Sequence, residues 1–185
     1  MDIFSHAFWA AAAAKSVNSK IKYFKKRKPI NVLWVALWGV APDIFAFAPI
    51  FISGAFVFLL GTGEMSVFQI PHPSDMEPAE GNGLLVFKLT KALYNIGHSA
   101  IVFAAVFILA SLIFRRLRWE MLGWFLHIII DVPTHSYKFY PTPVFWPLAD
   151  WKFDGISWAT PWFIAVNISA IVLVLLFYFF LRKKT

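Results

Sequence analysis

Residues 31 to 60, NVLWVALWGVAPDIFAFAPIFISGAFVFLL, contain one acid and no basic residue in thirty positions. About 20 predominantly apolar residues are enough to cross the hydrocarbon of a bilayer as a helix. A chain with such a run folds around lipid, and the backbone inside it must satisfy its own hydrogen bonds, which a helix does. A second run, PWFIAVNISAIVLVLLFYFFL at 161 to 181, has no charged residue at all. Pro42, Pro49, Gly39 and Gly54 predict that the first run is kinked or broken.

The rest of the chain agrees with a lipid setting. Of its 185 residues 59% are hydrophobic, 21 are Phe and 9 are Trp, and the mean hydropathy is +0.66. Soluble domains run nearer about 45–50% apolar. The net charge of +7 would suit nucleic acid if it were spread over one face. It is instead concentrated: 13 of the 17 basic residues fall in Lys15 to Lys28, Arg115 to Arg118 and Arg182 to Lys184. Each cluster abuts an apolar run, as at the cytoplasmic side of a membrane, and no nucleic-acid partner is expected. In the N-terminal stretch MDIFSHAFWAAAAAK the charge follows the apolar part, the reverse of a cleavable signal, so it reads as a short embedded helix.

Further apolar segments lie at 97 to 114 and 119 to 132, the first led in by a helix starting near Leu84. Placing all three basic clusters on one side gives a consistent alternation. The expectation is one all-α, polytopic membrane domain over 1 to 185, with about four spans plus the N-terminal helix, in the inner or plasma membrane with the C-terminus cytoplasmic. A polar loop carrying His72 and four acids occupies about 61 to 83. An aromatic segment at about 137 to 160 falls at the outer interface, with Tyr137, Tyr140, Trp146, Trp151, Trp158 and Trp162 as an interfacial belt. Cysteine is absent, which leaves any metal to His, Asp or Glu.

Five ionisable side chains interrupt the oily segments. At about 1.5 Å per helical residue from the nearest basic edge, His6 and His127 lie roughly 13–14 Å deep, Asp131 about 20 Å, Asp43 about 22 Å and His98 about 25 Å. Four segments therefore deliver imidazoles and carboxylates to one slab about 12 Å thick. A lone charge there costs a few kcal/mol or more unless it is paired or bound. In HIIIDVPTHS, His127 and Asp131 are four residues apart and share a helical face. They can give two ligands to one divalent ion or form a buried hydrogen-bonded pair that fixes packing. Asp43 in GVAPDI is a ligand or the N-cap of a helix resuming after a break. His98 in NIGHS is a ligand or an interfacial histidine, and His6 in FSHAFW a further candidate ligand. His135 lies beyond Pro133, so spacing does not fix where it faces; ligand, acid/base and surface roles all remain open. Lys138 and Lys152, among the few cations on the outer side, are candidates to attract a phosphate.

SHAFWA, GVAPDI, GHS and GWFLHIIID, in this order, resemble the YdjM-like inner-membrane proteins, a family associated with metal-dependent hydrolysis. The order His, Pro-Asp, His-Ser, His-x-x-x-Asp is also similar to the ligand order of the zinc-dependent phospholipase C and single-strand nuclease superfamily. That resemblance spans residues 6 to about 135. It implies one metal held by Asp43, His98, His127 and Asp131, with Asp131 bridging to a second ion that His6 helps hold. The soluble enzymes also ligate through their N-terminal amine and hold a further zinc through a His-x-x-x-Glu pair. No such pair exists here, so the implied centre is reduced to one or two ions, most simply Zn²⁺.

The expected function is hydrolysis of a phosphoester in a lipid or lipid-linked substrate, with Asp43, Asp131 or His135 handling the proton. A different class, proton or divalent-ion conduction through the same cluster, fits intramembrane His and Asp as well. A scaffold whose polar cluster only fixes helix packing is a third.

Overall fold

The computed structural model describes residues 1–24, 28–60 and 85–182. Within them the secondary structure is helical: α1 (Ile3–Phe24), α2 (Val32–Leu60), α3 (Leu85–Gly97), α4 (Ala100–Ile113), a 3-10 turn at Trp119–Met121, α5 (Leu122–Thr134) and α6 (Pro161–Arg182). The polar loop expected over 61 to 83, with His72, lies outside the described residues.

Among the described residues two helices are long and apolar enough to cross a membrane, α2 and Pro161–Phe180 of α6, or three spans if α3 and α4 are one broken crossing. This is fewer than the expected four. The 119 to 132 segment yields only the 13-residue α5, about 20 Å long against the roughly 30 Å of hydrocarbon. The segment leading into residues 97 to 114 is not a straight rod either, because α3 and α4 meet at a 63° bend. Ser99 makes that break by capping α4: its Oγ accepts from the amides of Ile101 and Val102 at 3.1 and 3.2 Å and donates to the carbonyl of Trp146. The expected break in residues 31 to 60 is absent, since α2 runs unbroken through Pro42 and Pro49. Asp43 is therefore mid-helix, and the N-cap alternative for it falls.

Close helix crossings set the centre. A Cβ on Gly123 of α5 would lie 2.1 Å from the carbonyl oxygen of Val35, and one on Gly39 of α2 2.7 Å from Ala10 Cβ. Small residues at these crossings bring three backbones together, as membrane helices do where lipid offers no hydrophobic drive. Trp38 of α2 and Trp124 of α5 stack at 6.1 Å beside the first of these crossings, and Trp124 with Phe103, Met121 and Ile128 forms a buried cluster. By contrast, none of the apolar window of α6 is buried.

The segment between α5 and α6 closes the site. The amides of Gly155, Ile156 and Trp158 donate to the carbonyls of His135, Pro133 and Thr134 at 2.9, 2.9 and 3.0 Å. Those carbonyls sit at the end of α5, where helical partners run out. Tyr137, Trp151 and Trp162 are exposed, as an interfacial belt requires, whereas Tyr140 is 5% exposed. Tyr140 thus belongs to the interior and leaves the belt.

A candidate metal centre at the helix crossing

His6 reaches the centre from the first turns of α1, Asp43 from the middle of α2, and His98 from the α3–α4 break. His127, Asp131 and the C-cap His135 follow at four-residue steps along α5. One ligand atom from each of Asp43, His98, His127 and Asp131 lies within 4.8 Å of the others, and all four residues are buried. Asp131 Oδ2 is 3.0 Å from His127 Nε2 and 3.4 Å from His98 Nε2. Asp43 Oδ1 is 3.4 Å from His98 Nε2 and 3.7 Å from His127 Nε2.

The other oxygen of Asp131 serves a second group. Its Oδ1 lies 2.9 Å from His6 Nε2, 3.4 Å from His135 Nε2 and 2.7 Å from the Met1 nitrogen. Met1 nitrogen is also 2.9 Å from His135 Nε2. Asp131 thus faces a different set of nitrogens through each oxygen. His135, whose facing the spacing left open, joins this second group.

Main-chain carbonyls fix the protons on the imidazoles. The Nδ1 of His127 lies 2.7 Å from the Gly39 carbonyl, that of His98 3.1 Å from Tyr94, and that of His135 3.0 Å from Tyr140. A carbonyl only accepts, so each Nδ1 carries the hydrogen and each neutral ring turns a bare Nε2 lone pair inward. His127 Nε2 and His98 Nε2 nevertheless stand 3.0 Å apart, facing two carboxylates. With both rings neutral, these are four acceptors with no hydrogen between them. Asp131 Oδ2 itself accepts no hydrogen bond. Lone pairs and negative charge gathered in a buried space need a cation, and imidazoles held through Nδ1 are the usual outer shell of a metal site. Two imidazoles, two carboxylates and no thiolate suit zinc or a similar divalent ion.

Tyr94 and Tyr140 support this shell; in the sequence Tyr94 goes unread and Tyr140 falls in the interfacial belt. Tyr94 stacks on His98 with centroids 3.7 Å apart, and its hydroxyl donates to the Tyr140 carbonyl at 2.7 Å. Tyr94 precedes His98 by four residues, a helical spacing that flags it. Tyr140 gave no such signal: its carbonyl reaches His135 through a left-handed backbone, φ 44°, which no residue type announces. Burial pushes the Tyr140 hydroxyl up to about 12, so it remains a neutral phenol at ordinary pH. Lys138 and Lys152 are not brought to the cluster. Lys138 is exposed, and Lys152 pairs with Asp150 at 3.3 Å.

The model of the YdjM inner membrane protein family matches residues 1–184, a span that includes every member of the cluster. The chain belongs to that family. No curated protein and no solved structure matches it. Membership of the YdjM family places the chain among inner membrane proteins, in keeping with its long apolar helices.

Proposed function

We propose that this YdjM-family chain is a membrane-embedded, metal-dependent hydrolase acting on a phosphoester of a lipid or lipid-linked substrate. The observation that carries the reading is the convergence of bare Nε2 atoms and carboxylate oxygens from Asp43, His98, His127 and Asp131. These four would hold one ion, and the group around Asp131 Oδ1, with His6 and His135, would hold a second where two are bound. A divalent ion in such a place acidifies water and polarises a phosphoryl oxygen.

The chain's own residues divide the remaining work. Asp131 is committed through both oxygens, which makes it an anchor of the centre. Asp43 engages its neighbours through Oδ1, and its side chain is 8% exposed where those of Asp131, His98 and His127 are 0%. Asp43 is therefore the carboxylate open to a water, and it takes the proton. The stacked Tyr94 and the carbonyls of Gly39 and Tyr140 hold the rings in register. Three basic clusters adjoining the apolar segments support more than one crossing, with the C-terminal end of α6 on the cytoplasmic side.

The test is a screen of detergent-purified protein, loaded with zinc, against phospholipids and a generic phosphodiester. Cleavage that falls in Asp43→Asn further than bound zinc does supports the reading. No cleavage of any phosphoester by the metal-loaded wild type contradicts it. Direct imidazole–imidazole contact, His127 to His98 at 3.0 Å, favours a second reading, in which the cluster passes protons or divalent ions. That reading expects flux across proteoliposomes without hydrolysis.

A further inference from the structure

A cleft of about 450 Å³ lies between the start of α1 and the outer half of α6. Its wall on α6 is Phe163, Ile164, Ile168 and Ile171, a stripe about 12 Å long at helical rise. At its other side stand Met1, Asp2 and Ser5. Met1 belongs equally to the metal centre, through its contacts with Asp131 and His135. Cleft and centre therefore share a residue.

Polarity changes across the cleft. Near the centre, Asn167 donates to Ser5 Oγ at 2.7 Å and accepts from the Trp9 indole at 2.9 Å, while Asp2 accepts from the Ser5 amide at 2.9 Å. The Asn167 bonds latch α6 to α1 and, with the Asp2–Ser5 bond, occupy the polar side chains of both helices here, leaving the Trp158 indole N–H as the unpartnered polar group of the lining. The stripe itself offers only hydrocarbon. No lysine or arginine lines the cleft; its charged groups are the acid Asp2 and the Met1 ammonium, which is already paired with Asp131. A polyanion such as nucleic acid has nothing to hold there. Because no part of the α6 window is buried, the cleft opens sideways to the lipid. Its volume lies within the range of about 300–1,000 Å³ for ligand sites.

We propose that this cleft binds one acyl chain of a membrane phospholipid and so sets that lipid's phosphoester beside Asp131 and His135. The inference rests on the hydrolase reading for the fate of the lipid, though not for its binding. It narrows the substrate to molecules with a long hydrocarbon chain and a phosphoester at its polar end.

Native mass spectrometry of protein purified in mild detergent reads the retained lipid, and elemental analysis of the same samples reads the metal. Ile168→Trp fills the cleft; Leu173→Trp adds equal bulk on the exposed side of α6. The expected result is one retained phospholipid in the wild type and Leu173→Trp, and at least about tenfold less in Ile168→Trp, the weight of two buried methylenes. Metal content stays equal in all three. Should Ile168→Trp fail to fold, Ile164→Asn wets the same wall and carries the same expectation. Retention that is unchanged in the cleft variants, or lost equally in Leu173→Trp, overturns the proposal. With activity in hand, Ile168→Trp loses cleavage of a long-chain phospholipid and keeps that of bis(p-nitrophenyl) phosphate; loss of both also overturns it. Ile168-dependent retention in a wild type that cleaves nothing upholds the cleft and sinks the hydrolase reading instead.

Discussion

Helices α5 and α6 are both strongly apolar in sequence, and they meet opposite fates. The 13 residues of α5 include six buried ones, among them His127 and Asp131. The 22 residues of α6 include Asn167 as their most polar member before the terminal Arg182, and none of its apolar window is buried. Hydrophobicity alone does not separate a helix that faces lipid from one that faces protein. The polar residues do. A carboxylate and an imidazole in an oily helix are tolerable only where other groups meet them, so they mark the buried face and pull the helix inward. Gly123, against the carbonyl of Val35, gives α5 the close approach that this requires.

The contrast can be broken by removing what holds α5 inside. Asp131→Asn is the most severe change, because Asp131 touches both groups of nitrogens. Bound metal should fall from stoichiometric to near zero by elemental analysis, with stability lowered by about 3–5 kcal/mol, as when one partner of a buried charged set is removed. Gly123→Val drives a side chain into the Val35 carbonyl. It should cost about 1–3 kcal/mol or more, about 2–4 °C of melting temperature per kcal/mol in a chain this size. Metal would be retained more weakly as α2 and α5 separate.

Stripping the metal from the wild type tests the same region without mutation. A ligand at 100 times its dissociation constant stabilises by about 2.7 kcal/mol, so a chelator should lower the thermal midpoint, and zinc should restore it. Gly155→Ala is subtler. Its Cβ would stand 2.4 Å from the Pro133 carbonyl oxygen and 2.7 Å from that of His135, displacing the segment that caps α5. A loss of about 1–3 kcal/mol is expected, with any second ion weakened more than the first, since His135 moves and His98 does not. Leu173→Ala, on the lipid side of α6, should change stability by no more than about 0.5 kcal/mol. An effect of Leu173→Ala comparable to that of Gly123→Val would erase the distinction between the two helices.

The depth estimate from basic edges brought His6, Asp43, His98, His127 and Asp131 to one level, and the structure joins them. Membrane segments are nearly straight rods, so counting residues measures depth. The same counting overstated the crossings, because length in sequence does not reveal the 63° bend at Ser99 or the shortness of α5 after its 3-10 turn. Pro42 looked like a break in α2; the helix absorbed it, and Asp43 became a ligand candidate in mid-helix. His135 was unreadable because Pro133 hides where the chain turns. Its position depends on the left-handed Tyr140 and on the amides of 155 to 158, contacts between stretches that no local pattern connects. Lys138 and Lys152 stand out in the sequence as candidates to attract a phosphate for want of other cations nearby; the pairing of Lys152 with Asp150 is a property of the folded segment.

The central claim is a cation among Asp43, His98, His127 and Asp131, and zinc-edge X-ray absorption on detergent-purified, zinc-loaded protein addresses it most directly. The account predicts one ion or two per chain in a nitrogen and oxygen shell at about 2.0–2.2 Å, with imidazole scattering and no sulfur. That signal should vanish in Asp131→Asn. Protein that stays folded, binds no stoichiometric metal and gives the same spectrum with or without Asp131 would contradict it.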